Sequence, residues 1–245
     1  MPSSYSDGPK VYLLLGPNDS GRRAFLLDLV LDAQYLGLGS VLYFKHTSEN
    51  PHSYDSKLAK APHLDQMYWS VMNCKVKHEK ITRRADSVFF VAPSSVDPSD
   101  VIEALKGWLT KNNCQLTRIF TMVHCALINE NPAVKLWYEA CMHFSDIVLL
   151  NRRTGLNPKW LGDFTKKYAK QFNPTRFILV KKDKVDNPAD VLDGRSYRNS
   201  LYFDTLIPIE EDDFEDSLPT DVMPDIYLER LENGKRSKPI PTFDN

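Results

Sequence analysis

The chain has 245 residues, 42% hydrophobic and 26% charged, with a formal net charge of −1 at pH 7, which describes an ordinary globular protein with a sizeable core. The near-neutral charge gives no sign of a nucleic-acid or membrane surface, no run reaches the ~18 apolar residues of a membrane span, and residues 1–10 lack an apolar signal segment. Four cysteines without a C-x-x-C pair favour reduced thiols, so the sequence predicts a cytoplasmic protein that binds neither nucleic acid nor membrane.

Short apolar strands alternate with helical patterns from residue 10 to residue 180. The predicted strands are Lys10–Leu15, Ser40–Lys45, Ser87–Ala92, Leu116–Val123, Asp146–Leu150 and Thr175–Val180. The predicted helices are Gly21–Leu36, Pro98–Lys111, Pro132–His143 and Pro158–Gln171. Residues 47–86 show no clear period and are predicted to be an irregular insertion with a short helix or a hairpin. The alternation predicts an α/β fold, a mainly parallel sheet with helices on both faces.

The turn after the first strand is the most informative motif. Residues 16–23 read G-P-N-D-S-G-R-R, which keeps the glycine spacing of a phosphate-binding loop, G-x-x-x-x-G-K-[ST]. Arg22 and Arg23 stand where that motif has lysine and a hydroxyl residue. The backbone of a phosphate cradle can survive this change, whereas the oxygen that would bind magnesium cannot. The plainer alternative is a strand–helix turn with solvated or salt-bridged arginines.

Three more segments follow this loop in order. Asp86–Pro98 ends in V-A-P-S-S-V-D-P, Phe144–Thr154 reads F-S-D-I-V-L-L-N-R-R-T, and residues 172–175 read F-N-P-T. With the loop, they resemble the CobW-type P-loop GTPases, relatives of the UreG and HypB metallochaperones, whose motifs include E-T-S-G-L-A-D-P and A-D-x-I-x-L-N-K-T-D. The resemblance covers about residues 10–182. It implies a P-loop NTPase-like fold in a domain spanning residues 1–183.

The departures from that family fall on chemically important positions. Val91 stands where the family has glutamate and Ser94 where it has glycine, so no carboxylate is left there to hold magnesium or water. Thr154 replaces the aspartate that binds guanine, which implies a site indifferent to the base. Cys74 alone corresponds to a cysteine-rich metal motif, and a thiolate metal site needs several ligands. His124 falls where the family often has aspartate.

The resemblance and its gaps together indicate a degenerate member, a pseudo-GTPase that acts by binding or scaffolding. The alternatives are an active GTPase-type metallochaperone that uses substitute residues, and a regulator that binds an anion or a nucleotide without hydrolysing it. No catalytic or metal-binding residue is assigned, the one cofactor left open is a nucleotide without magnesium, and the expected partner is a protein or a second copy. The residues that the resemblance assigns to nucleotide or anion binding are Gly16, Asn18, Ser20, Gly21, Arg22, Arg23, Asn151, Arg152 and Arg153.

Residues 184–245 differ in character from the rest of the chain. They contain an acidic run, Glu210–Asp216, and several prolines, which predicts an extended tail that wraps the domain or a partner. Parallel strands bring the loops at 22–23 and 152–153 to one edge of the sheet, so their four arginines are predicted to share one rim. Four cations in one concavity repel each other, and we expect an anion, the acidic run or an acidic partner surface to occupy it.

His124 and Cys125 follow the fourth predicted strand directly. Such a pair can be a metal-binding pair or a catalytic dyad. The simpler interpretation is a capped strand end followed by a buried thiol, because a conclusive site needs further ligands.

Overall fold

The computed structural model describes residues 8–204 and 225–244. Its eight strands form one sheet in the order β4-β3-β2-β5-β1-β6-β7-β8, and every neighbouring pair is parallel except β3 and β4. The strands are β1 Lys10–Leu15, β2 Val41–His46, β3 Leu64–Met72, β4 Lys75–His78, β5 Ser87–Ala92, β6 Gln115–His124, β7 Ile147–Asn151 and β8 Arg176–Leu179. The helices are α1 Arg22–Leu31, α2 Asp55–Leu58, α3 Pro98–Asn112, α4 Cys125–Glu130, α5 Lys135–Phe144, α6 Pro158–Gln171 and α7 Pro188–Leu192.

Helices cover both faces of the sheet, as predicted. One face carries the side chains that pack under α3, α5 and α6, and the other packs under α1, α2 and α7. The near-central strand β1 leads through a glycine-bounded turn into α1, which is the P-loop NTPase-like α/β arrangement. Because β1, β5 and β7 are buried on both faces, their sequences are almost entirely apolar.

Two helix starts follow directly from local sequence. The Asp97 side chain accepts a hydrogen bond from Ser99 N at 2.8 Å, and Pro98 occupies the first turn of α3. Asn157 caps α6 in the same way, with its side chain 2.8 Å from Lys159 N. An Asx residue followed by proline both satisfies a free N–H and presets the helical backbone, so these starts were predictable.

The insertion at residues 47–86 is more regular than the sequence indicated. It holds α2 and a hairpin, and its first strand, β3, joins the main sheet in parallel with β2. Asn73 and Cys74 both have φ of 52°, which is the backbone of a tight two-residue hairpin turn. The predicted short helix or hairpin is confirmed, since both are present, and only the predicted irregularity was wrong, because the mixed burial of β3 hides its strand period.

Two predicted boundaries differ from the structure. The helix predicted to run to Leu36 ends at Leu31 and continues only as hydrogen-bonded turns. Beyond residue 184, where an extended tail was expected, the short helix α7 packs Val191 and Leu192 into the core. A helix of five residues is too short to show a 3.6-residue period, although Asn187 caps it ahead of Pro188.

Residues 225–244 wrap the outside of the α3 and α5 layer. Tyr227 and Ile240 are buried in the same core cluster as these helices. Arg230 and Arg236 form ion pairs with α3, and the Phe243 amide donates to Ser94 O at 3.0 Å. This part of the chain therefore belongs to the domain surface, while the acidic run Glu210–Asp216 lies outside the described residues.

Candidate functional site

The phosphate loop, residues 16–23, is closed by its own hydrogen bonds. Residues Asn18–Ser20 form a single 3-10 turn. The Pro17 carbonyl oxygen accepts from Ser20 N at 3.1 Å, from Ser20 Oγ at 2.8 Å and from Arg22 Nε at 3.2 Å. A phosphate cradle needs N–H groups that converge on the anion. In this loop the Pro17 carbonyl oxygen instead accepts the hydrogen bonds of Ser20 and Arg22.

The two glycines of the loop are required by close approach and backbone angle. A Cβ on Gly16 would lie 2.8 Å from Met122 O, which belongs to the neighbouring strand β6. Gly21 has φ of 102°, and a Cβ there would lie 2.2 Å from Asn151 Nδ2. The glycine spacing therefore reflects the packing of this turn against β6 and the end of β7, whatever the turn binds.

Arg22 and Arg23 are buried, and one carboxylate bridges them. Arg22 Nη1 lies 2.6 Å from Glu49 Oε1, and Arg23 Nη2 lies 2.5 Å from Glu49 Oε2. The side chains are 0%, 2% and 0% exposed in the order Arg22, Arg23, Glu49. Arg23 Nη2 also donates to Asn50 O at 2.7 Å. The negative charge expected beside these arginines is thus supplied within the described chain, by a residue of the loop after β2.

Further charges join this ion pair. Lys45 Nζ lies 2.8 Å from Asp55 Oδ2, and Arg23 Nη1 lies 3.4 Å from Asp55 Oδ1. Burial raises the pKa of Asp55, but hydrogen bonds from Lys45 and from His52 N outweigh it and hold that pKa below its usual value. We call Arg22, Arg23, Lys45, Glu49 and Asp55 the buried ion-pair cluster.

His46 borders the cluster without adding charge to it. Burial lowers the pKa of His46 to about 4, so the imidazole is neutral at pH 7. Its Nδ1 atom accepts a hydrogen bond from Ser48 N at 3.2 Å. The cluster therefore holds three basic and two acidic side chains with no further charge from this histidine.

The loop after β7 closes over the phosphate loop. Asn151 Nδ2 donates to Ser20 O at 2.8 Å and to Asp183 Oδ1 at 2.9 Å. Arg152 Nε donates to Asp19 O at 3.0 Å, and its Nη1 lies 3.2 Å from the same Asp183 oxygen. The structure thus brings together the two loops that the sequence singled out, and Asp183 fastens them from a third.

A cleft lies beside this junction, between the loop after β7 and the turn after β8. Its volume is about 470 Å³. Arg153 Nη2 donates to Val180 O at 2.8 Å across its floor. We call it the basic cleft; its lining residues are Asn151, Arg152, Arg153, Thr154, Val180, Lys181, Lys182 and Asp183.

The four predicted arginines do not share one concavity. Arg22 and Arg23 lie beneath the loop in the buried ion-pair cluster, whereas Arg152 and Arg153 line the basic cleft above it. The prediction of a common rim was wrong because it placed all side chains at the loop ends of the strands. A helix-start arginine can instead fold inward when a carboxylate is present to receive it.

Two residues of this site were missed in the sequence. Glu49 follows β2, whose carboxyl end lies on the same edge as those of β1 and β7, so the parallel-sheet rule could have found it. Asp183 lies beyond β8 with φ of 63° in a lysine-rich turn, and nothing in its local sequence distinguishes it from a solvated residue.

The second motif is engaged by other parts of the chain. Val91 is fully buried within β5, and Ser94 is 1% exposed in the loop that follows. The Ser94 carbonyl accepts the hydrogen bond from Phe243, whose ring packs edge-on against Trp137 with centroids 5.6 Å apart. The C-terminal segment therefore covers the loop that follows β5.

His124 and Cys125 have structural roles in the described chain. His124 Nδ1 accepts a hydrogen bond from Leu127 N at 3.1 Å and so caps α4. Cys125 is fully buried, and burial raises the pKa of its thiol to about 12. The simpler sequence interpretation, a capped strand end followed by a buried thiol, therefore describes His124 and Cys125.

Cys74 lies in the hairpin turn beside Asp100 and Glu103 of α3. Their ligand atoms lie within 4.8 Å of one another, close enough to hold a metal ion. Arg236 Nη2, however, lies 2.7 Å from Asp100 and 2.8 Å from Glu103, and Arg230 Nη2 lies 2.7 Å from Glu103. Two guanidinium groups neutralise these carboxylates and repel a cation, so the arrangement favours ion pairing.

Comparison with known proteins finds likeness at the level of structure. No protein-family model matches the sequence, and no curated protein resembles it closely enough to count as a relative. A Zn(II)-bound YjiA GTPase from E. coli is similar with a TM-score of 0.47 and 11% identity, and a Zn(II)-bound triple mutant of that GTPase with 0.48 and 12%. Each likeness covers 77% of this chain and 62% of the other. No helix in the described part of the chain is long and apolar enough to cross a membrane.

Proposed function

We propose that this chain is a degenerate P-loop protein, similar to the CobW-type GTPases, that acts by binding or scaffolding and does not hydrolyse nucleoside triphosphates. The observation that carries this proposal is the Glu49 carboxylate, buried between Arg22 and Arg23 beneath the phosphate loop. A phosphate that approached these arginines would have to displace a carboxylate held by two charge-assisted hydrogen bonds.

The chemistry of phosphoryl transfer is also missing from the neighbouring positions. Transfer depends on positioning and on charge stabilisation, usually through magnesium. Arg23 supplies no oxygen ligand, and Val91 is an apolar side chain inside the sheet. Both positions would need substitutes from elsewhere, and the nearest carboxylates, Glu49 and Asp55, already bind cations of the cluster.

We expect GTP and ATP turnover below ~0.01 per second, the scale of a slow GTPase, with and without magnesium. Phosphate release by the purified full chain measures it. Exchanging both arginines, Arg22→Lys with Arg23→Thr, restores a lysine and a hydroxyl and should strengthen magnesium–nucleotide binding at least tenfold.

The matched control makes comparable exchanges at an exposed pair outside these sites, Arg195→Lys with Ser196→Thr, and should change nothing. The proposal is refuted if the wild-type chain shows magnesium-dependent turnover above ~0.01 per second, and if that turnover is lost in the Arg22 and Arg23 variant but kept in the control.

We further propose that the anion-binding capacity lies in the basic cleft. Its lining contains one carboxylate, Asp183, and four cationic side chains, those of Arg152, Arg153, Lys181 and Lys182. Asp183 is already shared by Asn151 and Arg152. The remaining positive charge suits an acidic group on a partner protein, an inorganic anion or the phosphates of a nucleotide.

Sulfate at millimolar concentration should raise the melting temperature by a few degrees through this cleft, because a ligand that binds only the folded state stabilises it. The double variant Arg152→Gln with Arg153→Gln should lose most of that increase, measured against its own sulfate-free value. The control Lys166→Gln with Lys170→Gln removes two exposed charges from α6 and should keep it. Equal sulfate effects in all three proteins would show that the cleft is only a solvated charge patch.

A further inference from the structure

A second, smaller cavity lies at the opposite edge of the sheet from the phosphate loop. It is bordered by Leu42 at the start of β2, Val88 at the start of β5 and Trp108 near the end of α3. Its volume is about 310 Å³, at the lower end of the range for small-molecule sites. The cavity is independent of the buried ion-pair cluster and of the basic cleft.

One part of the wall of this cavity is apolar, while Asn112 and Asn113 give the lining a polar part. Leu42, Val88 and Trp108 are 4%, 3% and 6% exposed, and Ile81 packs against the same core cluster. Trp108 Nε1 donates to His78 Nε2 at 3.0 Å, which fixes the indole and leaves it no N–H for the cavity. A ligand would therefore meet aromatic and aliphatic carbon atoms here.

The rim of the cavity is positively charged. Arg84 is exposed and makes no ion pair or hydrogen bond with the described residues, and Arg83 reaches only the exposed Asp65, at 3.6 Å. The adjacent Asp86 keeps its negative charge, because hydrogen bonds from Ser40 N and Oγ, at 2.8 and 2.7 Å, lower the pKa of Asp86, and these bonds tie its carboxylate to Ser40. Burial raises the pKa of the Cys114 thiol, so Cys114 adds no negative charge.

We propose that this cavity binds a small amphiphilic monoanion, with its apolar ring against Trp108 and its carboxylate at Arg84. An apolar wall with one convergent charge is the usual composition of a small-molecule site. The volume admits one compact ring system, and the free guanidinium at the rim selects an acid over its neutral analogue.

Isothermal titration of the full chain with 1-naphthoate tests the proposal, with 1-naphthamide as the uncharged analogue of the same shape. We expect one naphthoate per chain and about fivefold weaker binding of the amide, the scale of one exposed charge pair. Added salt should weaken naphthoate binding and leave amide binding unchanged.

Variants locate the binding. Arg84→Gln should weaken naphthoate about fivefold without changing naphthamide, and the control Lys80→Gln should change neither. Ala85→Phe fills the cavity from an exposed segment and should abolish binding of both. The proposal fails if naphthoate does not bind, if Arg84→Gln has no effect, if a folded Ala85→Phe variant still binds, or if binding requires removal of residues 1–7.

Discussion

Replacing Glu49 with glutamine will lower the free energy of unfolding by about 3–5 kcal/mol, because the change leaves buried charge without its counterion. Arg22 and Arg23 each donate to one oxygen of this carboxylate, and all three side chains are removed from water. Glutamine keeps the size and one carbonyl oxygen of the side chain, so packing is preserved. The lost stability measures the cost of leaving the two buried arginines without their carboxylate.

Denaturant unfolding or thermal melting of the variant provides the measurement. For a chain of this size the loss corresponds to a melting temperature about 6–20 °C lower. Glu79→Gln is the matched control, since Glu79 is exposed, and it should stay within about 0.5 kcal/mol of wild type. If Glu49→Gln were as stable as that control, Glu49 would not be the counterion of the loop, and the function proposed for this loop would lose its main support.

Replacing Tyr227 with alanine will destabilise the chain by about 3–5 kcal/mol, the usual cost of removing a buried aromatic ring. Tyr227 is 4% exposed and lies against α5, with its ring centroid 5.1 Å from that of His143 and 6.0 Å from that of Phe144. Because it stands beyond the segment 205–224, its loss tests whether residues 225–244 are part of the folded domain.

An exposed tyrosine provides the control for the Tyr227 variant. Tyr35 is 90% exposed, and Tyr35→Ala should change the free energy of unfolding by less than about 0.5 kcal/mol. A small effect of Tyr227→Ala, equal to that of Tyr35→Ala, would show that the C-terminal segment is an appendage whose removal the domain tolerates.

The core strands and the capped helices could be predicted because their causes are local. Val11 to Leu15 form a continuous apolar run, as a strand covered on both faces requires. Asp97 and Asn157 satisfy helix N–H groups two residues ahead, and the proline between fixes the backbone. The hairpin strands lacked such a signal, because β3 mixes apolar and polar residues along its length and β4 has only four residues.

The candidate site was predicted in position but not in its contacts. The glycine spacing of residues 16–21 correctly placed a tight turn between β1 and α1, and Asn151 does contact that turn. The direction of Arg22 and Arg23 could not be predicted, because their partner lies 27 and 26 residues away. Which side chain meets a buried arginine depends on where a distant loop returns.

The sequence by itself determined the alternation of strands and helices, the glycine-bounded turn and the replacement of lysine and a hydroxyl residue by Arg22 and Arg23. Each of these depends on residue type and on spacing of a few positions. Only the tertiary structure decided that Glu49 bridges both arginines, that Asp183 fastens the loops, and that residues 225–244 cover the loop at Ser94. These contacts join segments from different parts of the chain. Burial strengthens the ion pairs among them, because charges attract each other more strongly away from water.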